Sequence, residues 1–110
     1  MYAITEDSRI INGEEVKTFR REINHNKTKM ITEVGTTGLR GIKDRDKASR
    51  GYVSVDCMQG DYLFRPIKAD DGKTTGIEVA CCGDDAMMTV VDSLVFALEA
   101  LLDECEQTKE

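Results

Sequence analysis

The stretch Asp84-Asp85-Ala86-Met87-Met88-Thr89-Val90-Val91-Asp92-Ser93-Leu94-Val95-Phe96-Ala97-Leu98-Glu99-Ala100-Leu101-Leu102-Asp103-Glu104-Cys105-Glu106 decides the fold. Met87, Val91, Leu94, Leu98, Leu101 and Cys105 recur at steps of four and three, one stripe of an α-helix. Asp84 is placed to cap it, with Asp85 in the first turn where negative charge suits the helix dipole. Met88, Val95 and Leu102 form a second apolar row beside the first. The first row is expected to lie on a sheet. The second is expected to meet a partner subunit, since a chain this short has little further core to cover it.

Upstream, short alternating segments are separated by turn signals. Ser8 to Ile11 ends at Asn12-Gly13, a strong hairpin signal because both positions tolerate positive φ. Glu14 to Ile23 follows, with Val16 out of phase with Phe19, Arg21 and Ile23, so the pattern leaves its inward face open. Asn24-His25-Asn26-Lys27 reads as a turn, with His25 expected to be exposed. Thr28 to Val34, Gly51 to Cys57, Asp61 to Ile67 and Gly76 to Cys82 complete the strands. Val53, Val55 and Cys57 are expected inward, Tyr62 and Phe64 share one side, and core is the expected place for Phe64. The expected fold is α+β: an antiparallel five- or six-stranded sheet with one long C-terminal helix packed on it and at a dimer interface. The 110 residues read as a single domain, 1–110.

Composition excludes several classes. The most apolar run, Ser93 to Leu102, is interrupted by Glu99 and is too short to span a membrane. No secretory signal is visible at the start, and the reading is cytoplasmic. Cys57, Cys81, Cys82 and Cys105 lack zinc-ligand spacing, and His25 is the only histidine, so no metal or cofactor is expected. The thiols are read as reduced and mostly buried. An enzyme is not expected either. The lone histidine lacks a partner, and Asp44/Asp46, Asp70/Asp71 and Asp84/Asp85 each have a turn, loop or cap explanation.

The net charge of −6 argues against nucleic-acid polymers, yet residues 17–50 carry ten basic groups against four acidic. Within them lies Gly35-Thr36-Thr37-Gly38-Leu39-Arg40-Gly41, directly after a strand. Three glycines in seven residues allow positive φ and close approach of backbone to a ligand. Backbone N–H groups with the Thr36 and Thr37 hydroxyls would cradle phosphate, and the forks of Arg40 and Arg50 match its geometry. It is not a P-loop, because G-x-x-x-x-G-K-[S/T] is absent. Equally, a plain connecting loop accounts for it.

The run Glu33-Val34-Gly35-Thr36-Thr37-Gly38, then Gly41, then Ser49-Arg50 before a strand, resembles the phage Thoeris anti-defence family, first type. Ile77-Glu78-Val79-Ala80, with Gly83-Asp84 opening the helix, is similar to the end of that family, so the likeness spans roughly residues 30–105. One departure stands out: where the family pattern has G-G-D-S-G-H-G-S-R, this chain has Gly41 to Ser49-Arg50 without the later glycines or the histidine. The resemblance implies a non-catalytic sponge in the host bacterial cytosol. Such a protein sequesters cyclic ADP-ribose isomers and, in some members, cyclic trinucleotides. It implies homodimers and, in some members, trimers of dimers. The ligand-binding set it leads to expect is Gly35, Thr36, Thr37, Gly38, Arg40, Gly41, Ser49, Arg50 and Tyr52. The alternative is an acidic protein–protein inhibitor of a host defence protein.

Overall fold

The computed structural model describes residues 4–108, with the side chains of 106–108 left aside. Six antiparallel strands precede one helix: β1 (Thr5–Ile11), β2 (Glu14–His25), β3 (Thr28–Thr36), β4 (Gly51–Gln59), β5 (Tyr62–Lys68), β6 (Thr74–Cys81) and α1 (Asp84–Thr108). The fold is therefore α+β. The strands divide into two sheets, a four-stranded meander β1-β2-β3-β4 and a separate hairpin β5-β6. The first turn is the one the sequence indicates, with Asn12 at φ 48° and Gly13 at φ 81°. In that mirror-image turn both residues are left-handed, matching the strand twist.

The helix lies across β3 and, to a lesser extent, β2, and covers β4 little. Ile23, Val34, Phe96 and Ala97 form the buried core, with Phe19, Ala100 and Leu101 packed against it. This settles the face of β2 that the alternation leaves open: Phe19 and Ile23 point to the helix. Polar contacts extend the seam. Thr28 and Thr89 share a 2.6 Å hydroxyl bond, and the Ser93 hydroxyl donates to Met30 Sδ at 3.1 Å.

The helix is turned differently from the expectation. Its buried residues are Ala86, Thr89, Ser93, Phe96 and Ala97. Met87, Val91, Leu94 and Leu98 of the expected inward stripe are 41–62 % exposed, and only Leu101 and Cys105 are partly covered. Met88, Val95 and Leu102 are exposed as well. Small residues on the inner face let the helix approach the sheet closely, and Phe96 fills the remaining space. Large residues are left facing outward.

Three local readings also change. Gly83 holds the cap position, its carbonyl accepting from Met87 N–H at 3.0 Å, and Asp84 is already helical. His25 is half-buried at the end of β2, its Nε2 at 2.5 Å from Asp92 Oδ2 on the helix. Phe64 sits half-exposed on the β5-β6 hairpin, its ring 6.4 Å from that of Tyr62, and is outside the core. Val53, Val55 and Cys57 do face the helix side, but Val53 is more than half exposed because the helix lies over β3 and β2 and covers β4 little. Among the thiols, Cys57, Cys81 and Cys105 are half-buried and Cys82 is exposed. The molecule measures 44 × 42 × 18 Å, with a radius of gyration of 15.7 Å. A compact chain of this length has about 13 Å. Among the described residues, no helix is long and apolar enough to cross a membrane.

Candidate functional site

Loop 37–50 joins β3 to β4, and its two ends are laced together. Thr36 Oγ1 donates to the Arg50 carbonyl at 2.8 Å and accepts from Gly38 N–H at 3.0 Å. Thr37 Oγ1 accepts from Arg50 N–H at 2.9 Å and donates to the Gly38 carbonyl at 3.1 Å. Ser49 Oγ accepts from Arg40 N–H at 2.7 Å. Gly38 (φ 83°) and Gly41 (φ 69°) take the left-handed turns that this closure needs. Both threonine hydroxyls and the serine hydroxyl thus hold the loop's own backbone.

Arg50 is 5 % exposed and acts as a clamp. Its guanidinium donates to the carbonyls of Ile11 (3.2 Å), Asn12 (2.9 Å), Asp46 (3.1 Å) and Ala48 (2.5 Å). That ties the loop to the β1–β2 turn. Glu14 lies between the two arginines. It accepts a bidentate pair from Arg40 at 2.9 and 2.5 Å and stands 3.5 Å from Arg50. The Arg40 hydrogen bonds hold the Glu14 carboxyl below its ordinary range, against the opposing pull of desolvation.

Tyr52 pairs across the sheet with Gly35 and so flanks the loop. The Arg9 guanidinium lies 5.5 Å from its ring centroid, a cation–π distance. The same guanidinium grips Glu33 through two bonds of 2.7 and 2.6 Å. Thr18 Oγ1 donates to Glu33 at 2.7 Å, and Arg20 Nε stands 3.5 Å away. Glu33 is 2 % exposed, and the Arg9 bonds, ahead of the Thr18 bond, hold its carboxyl below the usual range. At Gly35 the strands come close: an added Cβ would lie 2.4 Å from the Lys17 carbonyl oxygen.

All nine residues expected at the site are therefore neighbours, but Thr36, Thr37, Ser49 and Arg50 serve the loop's shape, and Arg40 is paired. Sequence reasoning missed Arg9, Glu14 and Glu33. The Asn12-Gly13 hairpin carried the signal, because its register sets Ile11 opposite Glu14 and Arg9 opposite Val16. Exposed on the loop rim are Lys43, Arg45 and Lys47. The arrangement offers a preset loop carrying exposed Lys43, Arg45 and Lys47, interleaved with Asp44 and Asp46, and followed by a strand that bears Tyr52. Such a surface suits an anionic, ring-bearing small molecule.

On the helix side of the sheet, a cleft of about 370 Å³ lies between β2 and α1, with Arg21, His25, Asp92 and Phe96 in its walls. The Arg21 guanidinium sits 6.0 Å over the Phe96 ring. Among the described residues, no three His, Cys, Asp or Glu side chains stand close enough to share a metal ion. The chain matches no protein-family model, no curated protein and no solved structure.

Proposed function

We propose that this chain is a non-catalytic sponge that binds and sequesters a cyclic nucleotide immune signal in the host bacterial cytosol, blocking anti-phage defence. Cyclic ADP-ribose isomers are the primary ligand class, and cyclic trinucleotides the second. The observation that carries the reading is the loop laced by its threonine hydroxyls, with Lys43, Arg45 and Lys47 exposed along it and Tyr52 on the strand that leaves it. Its shape is set before any ligand arrives, so little ordering cost falls on binding. The cations supply attraction to phosphate, and the ring supplies a face for a base. On this reading the glycines and threonines act by shaping the loop rather than by touching phosphate.

Calorimetric titration with cyclic ADP-ribose isomers and cyclic trinucleotides tests this. Saturable heat is expected with at least one nucleotide, and the ligand should be recovered unchanged after heat denaturation. Lys43→Ala combined with Lys47→Ala is expected to weaken binding by roughly tenfold or more, as two charge-assisted contacts are lost. Absence of heat with every nucleotide would refute the proposal, as would repeated turnover to a defined product. The runner-up is an acidic inhibitor that docks on a host defence protein, favoured by the exposed apolar face of the helix.

A further inference from the structure

Ile23 and Val34 face α1, so Arg20 and Glu33, which pair across β2 and β3, face the other way. Arg9 on β1 and Tyr52 on β4 fall on the same outer face, opposite Val16 and Gly35. Neither α1 nor the β5-β6 hairpin is packed across that face. Glu33 is nonetheless only 2 % exposed there. Burying a carboxylate is costly unless its charge is fully paired. Here the pairing is complete, and it involves side chains from β1, β2 and β3.

Glu33 Oε2 accepts from Arg9 Nε and from Thr18 Oγ1, each at 2.7 Å. Glu33 Oε1 accepts from Arg9 Nη2 at 2.6 Å, and Arg20 Nε stands 3.5 Å from the same oxygen. One oxygen therefore serves two guanidiniums and holds them side by side against their mutual repulsion. The Tyr52 ring supports Arg9 on one side, its centroid 5.5 Å away. Arg9 commits two of its five N–H donors to Glu33, and Arg20 approaches through Nε alone. The two side chains are 40 % and 39 % exposed, which leaves their other donors within reach of a ligand. The loop arginines differ, since Arg50 is spent on carbonyls and Arg40 on Glu14. Asp7 stands at the rim, 4.0 Å from Arg9 Nη2 and itself half exposed.

We propose that Arg9 and Arg20, held together by the buried Glu33, form an oxyanion site on the open face of the sheet that takes a pyrophosphate group. A guanidinium fork matches two oxygens of one phosphate, and two adjoining forks match two phosphates joined through one oxygen. Glu33 is the positioning residue. Its acceptors are all engaged by protein donors, so it fixes the forks without presenting a free lone pair to the anion. The forks are in place before the anion arrives, which lowers the ordering cost of binding. Free pyrophosphate and the pyrophosphate bridge of a nucleotide share this chemistry. The site stands apart from the sponge reading, whereas a nucleotide as the source of the pyrophosphate rests on it.

Calorimetric titration of the full chain with inorganic pyrophosphate, and separately with a cyclic ADP-ribose isomer, tests it. Arg20→Gln removes one fork and leaves the Arg9 and Thr18 bonds to Glu33 in place. It is expected to weaken pyrophosphate binding by roughly ten- to a hundredfold. Lys73→Gln removes the same charge from the distant β5–β6 turn and is expected to leave binding as in wild type. Pyrophosphate heat that depends on Arg20 supports the site even if the nucleotide is inert, and an inert nucleotide then counts against the sponge reading alone. A nucleotide that binds wild type and Arg20→Gln equally overturns the site's part in holding it. Absence of Arg20-dependent heat from both probes overturns the proposal, as does an equal loss in Lys73→Gln. Arginine Nε–H resonances of wild type cover the case in which a variant fails to fold. Those of Arg9 and Arg20 should shift with pyrophosphate, and signals that stay in place overturn the proposal.

Discussion

Glu33→Gln isolates the energetics of the buried carboxylate. The replacement keeps the side chain's shape and removes its charge, so Arg9 and Thr18 lose a charged acceptor, and the Gln amide N–H₂ faces a guanidinium. Three bonds of 2.6–2.7 Å change from charge-assisted to neutral or are lost. Hydrogen bonds to charged groups contribute about 1.5–3 kcal/mol and neutral ones about 0.5–1.5. The Arg9 side chain is 40 % exposed and recovers part of the loss from water, whereas Glu33 is enclosed. The net expectation is about 2–3 kcal/mol, a large share of the ~5–15 kcal/mol that holds a domain together. At about 4–8 °C per kcal/mol, Tm should fall by roughly 8–24 °C. The pH dependence carries a second signature. The folded pKa of Glu33 is depressed, so its stabilisation is fully present above the unfolded value near 4.3, and is lost as pH falls through the lower folded value. Denaturant midpoints of wild type and Glu33→Gln should therefore differ at pH 7 and converge in acid. Coincident midpoints at pH 7, or a gap undiminished in acid, would refute the reasoning.

Two further substitutions probe the loop and the sheet. Arg50→Ala removes bonds to four backbone carbonyls and should lower stability by about 2–3 kcal/mol with no ligand present, read by thermal melting alongside protease cleavage in loop 37–50. A side chain reserved for a ligand would leave the free protein's Tm unmoved, and that result would sink the clamp. Gly35→Ala forces a Cβ to within 2.4 Å of the Lys17 carbonyl oxygen and 2.7 Å of Thr18 Cγ2. It should cost about 1–3 kcal/mol in denaturant unfolding, and an alanine variant as stable as wild type would contradict the close approach of β2 and β3.

Much of the fold was legible because local chemistry marks it. Asn12-Gly13 places the first hairpin, alternation marks the strands, and the helix begins within one residue of where its pattern places it, Gly83 rather than Asp84 holding the cap. The orientation of that helix was not legible. Periodicity reports where large apolar residues fall, and in a chain whose helix is apolar nearly all round it cannot say which side is inward. Closeness of approach decided it, with Ala86, Thr89, Ser93 and Ala97 against the sheet. The division into two sheets was hidden for a related reason, since a strand's pattern does not name its neighbour. At the loop, the residue types were found but their roles were not. Arg50 reads as a phosphate fork until the carbonyls of Ile11 and Asn12, nearly forty positions away, are seen to occupy it. His25 was masked in the same way, as Asp92 reaches it only after the helix docks.

The order of elements along the chain has a consequence for how the protein is made. The four-stranded meander is built from neighbours joined in sequence, so each hairpin can form as soon as its second strand leaves the ribosome. The layer that covers Ile23, Met30 and Val34 is α1, which follows all six strands. At about 5–20 residues per second, the 72 residues from the end of β3 to the end of α1 take several seconds to emerge. During that interval the nascent sheet shows its inner face to solvent, and a holdase chaperone has a defined apolar strip to occupy until the helix displaces it.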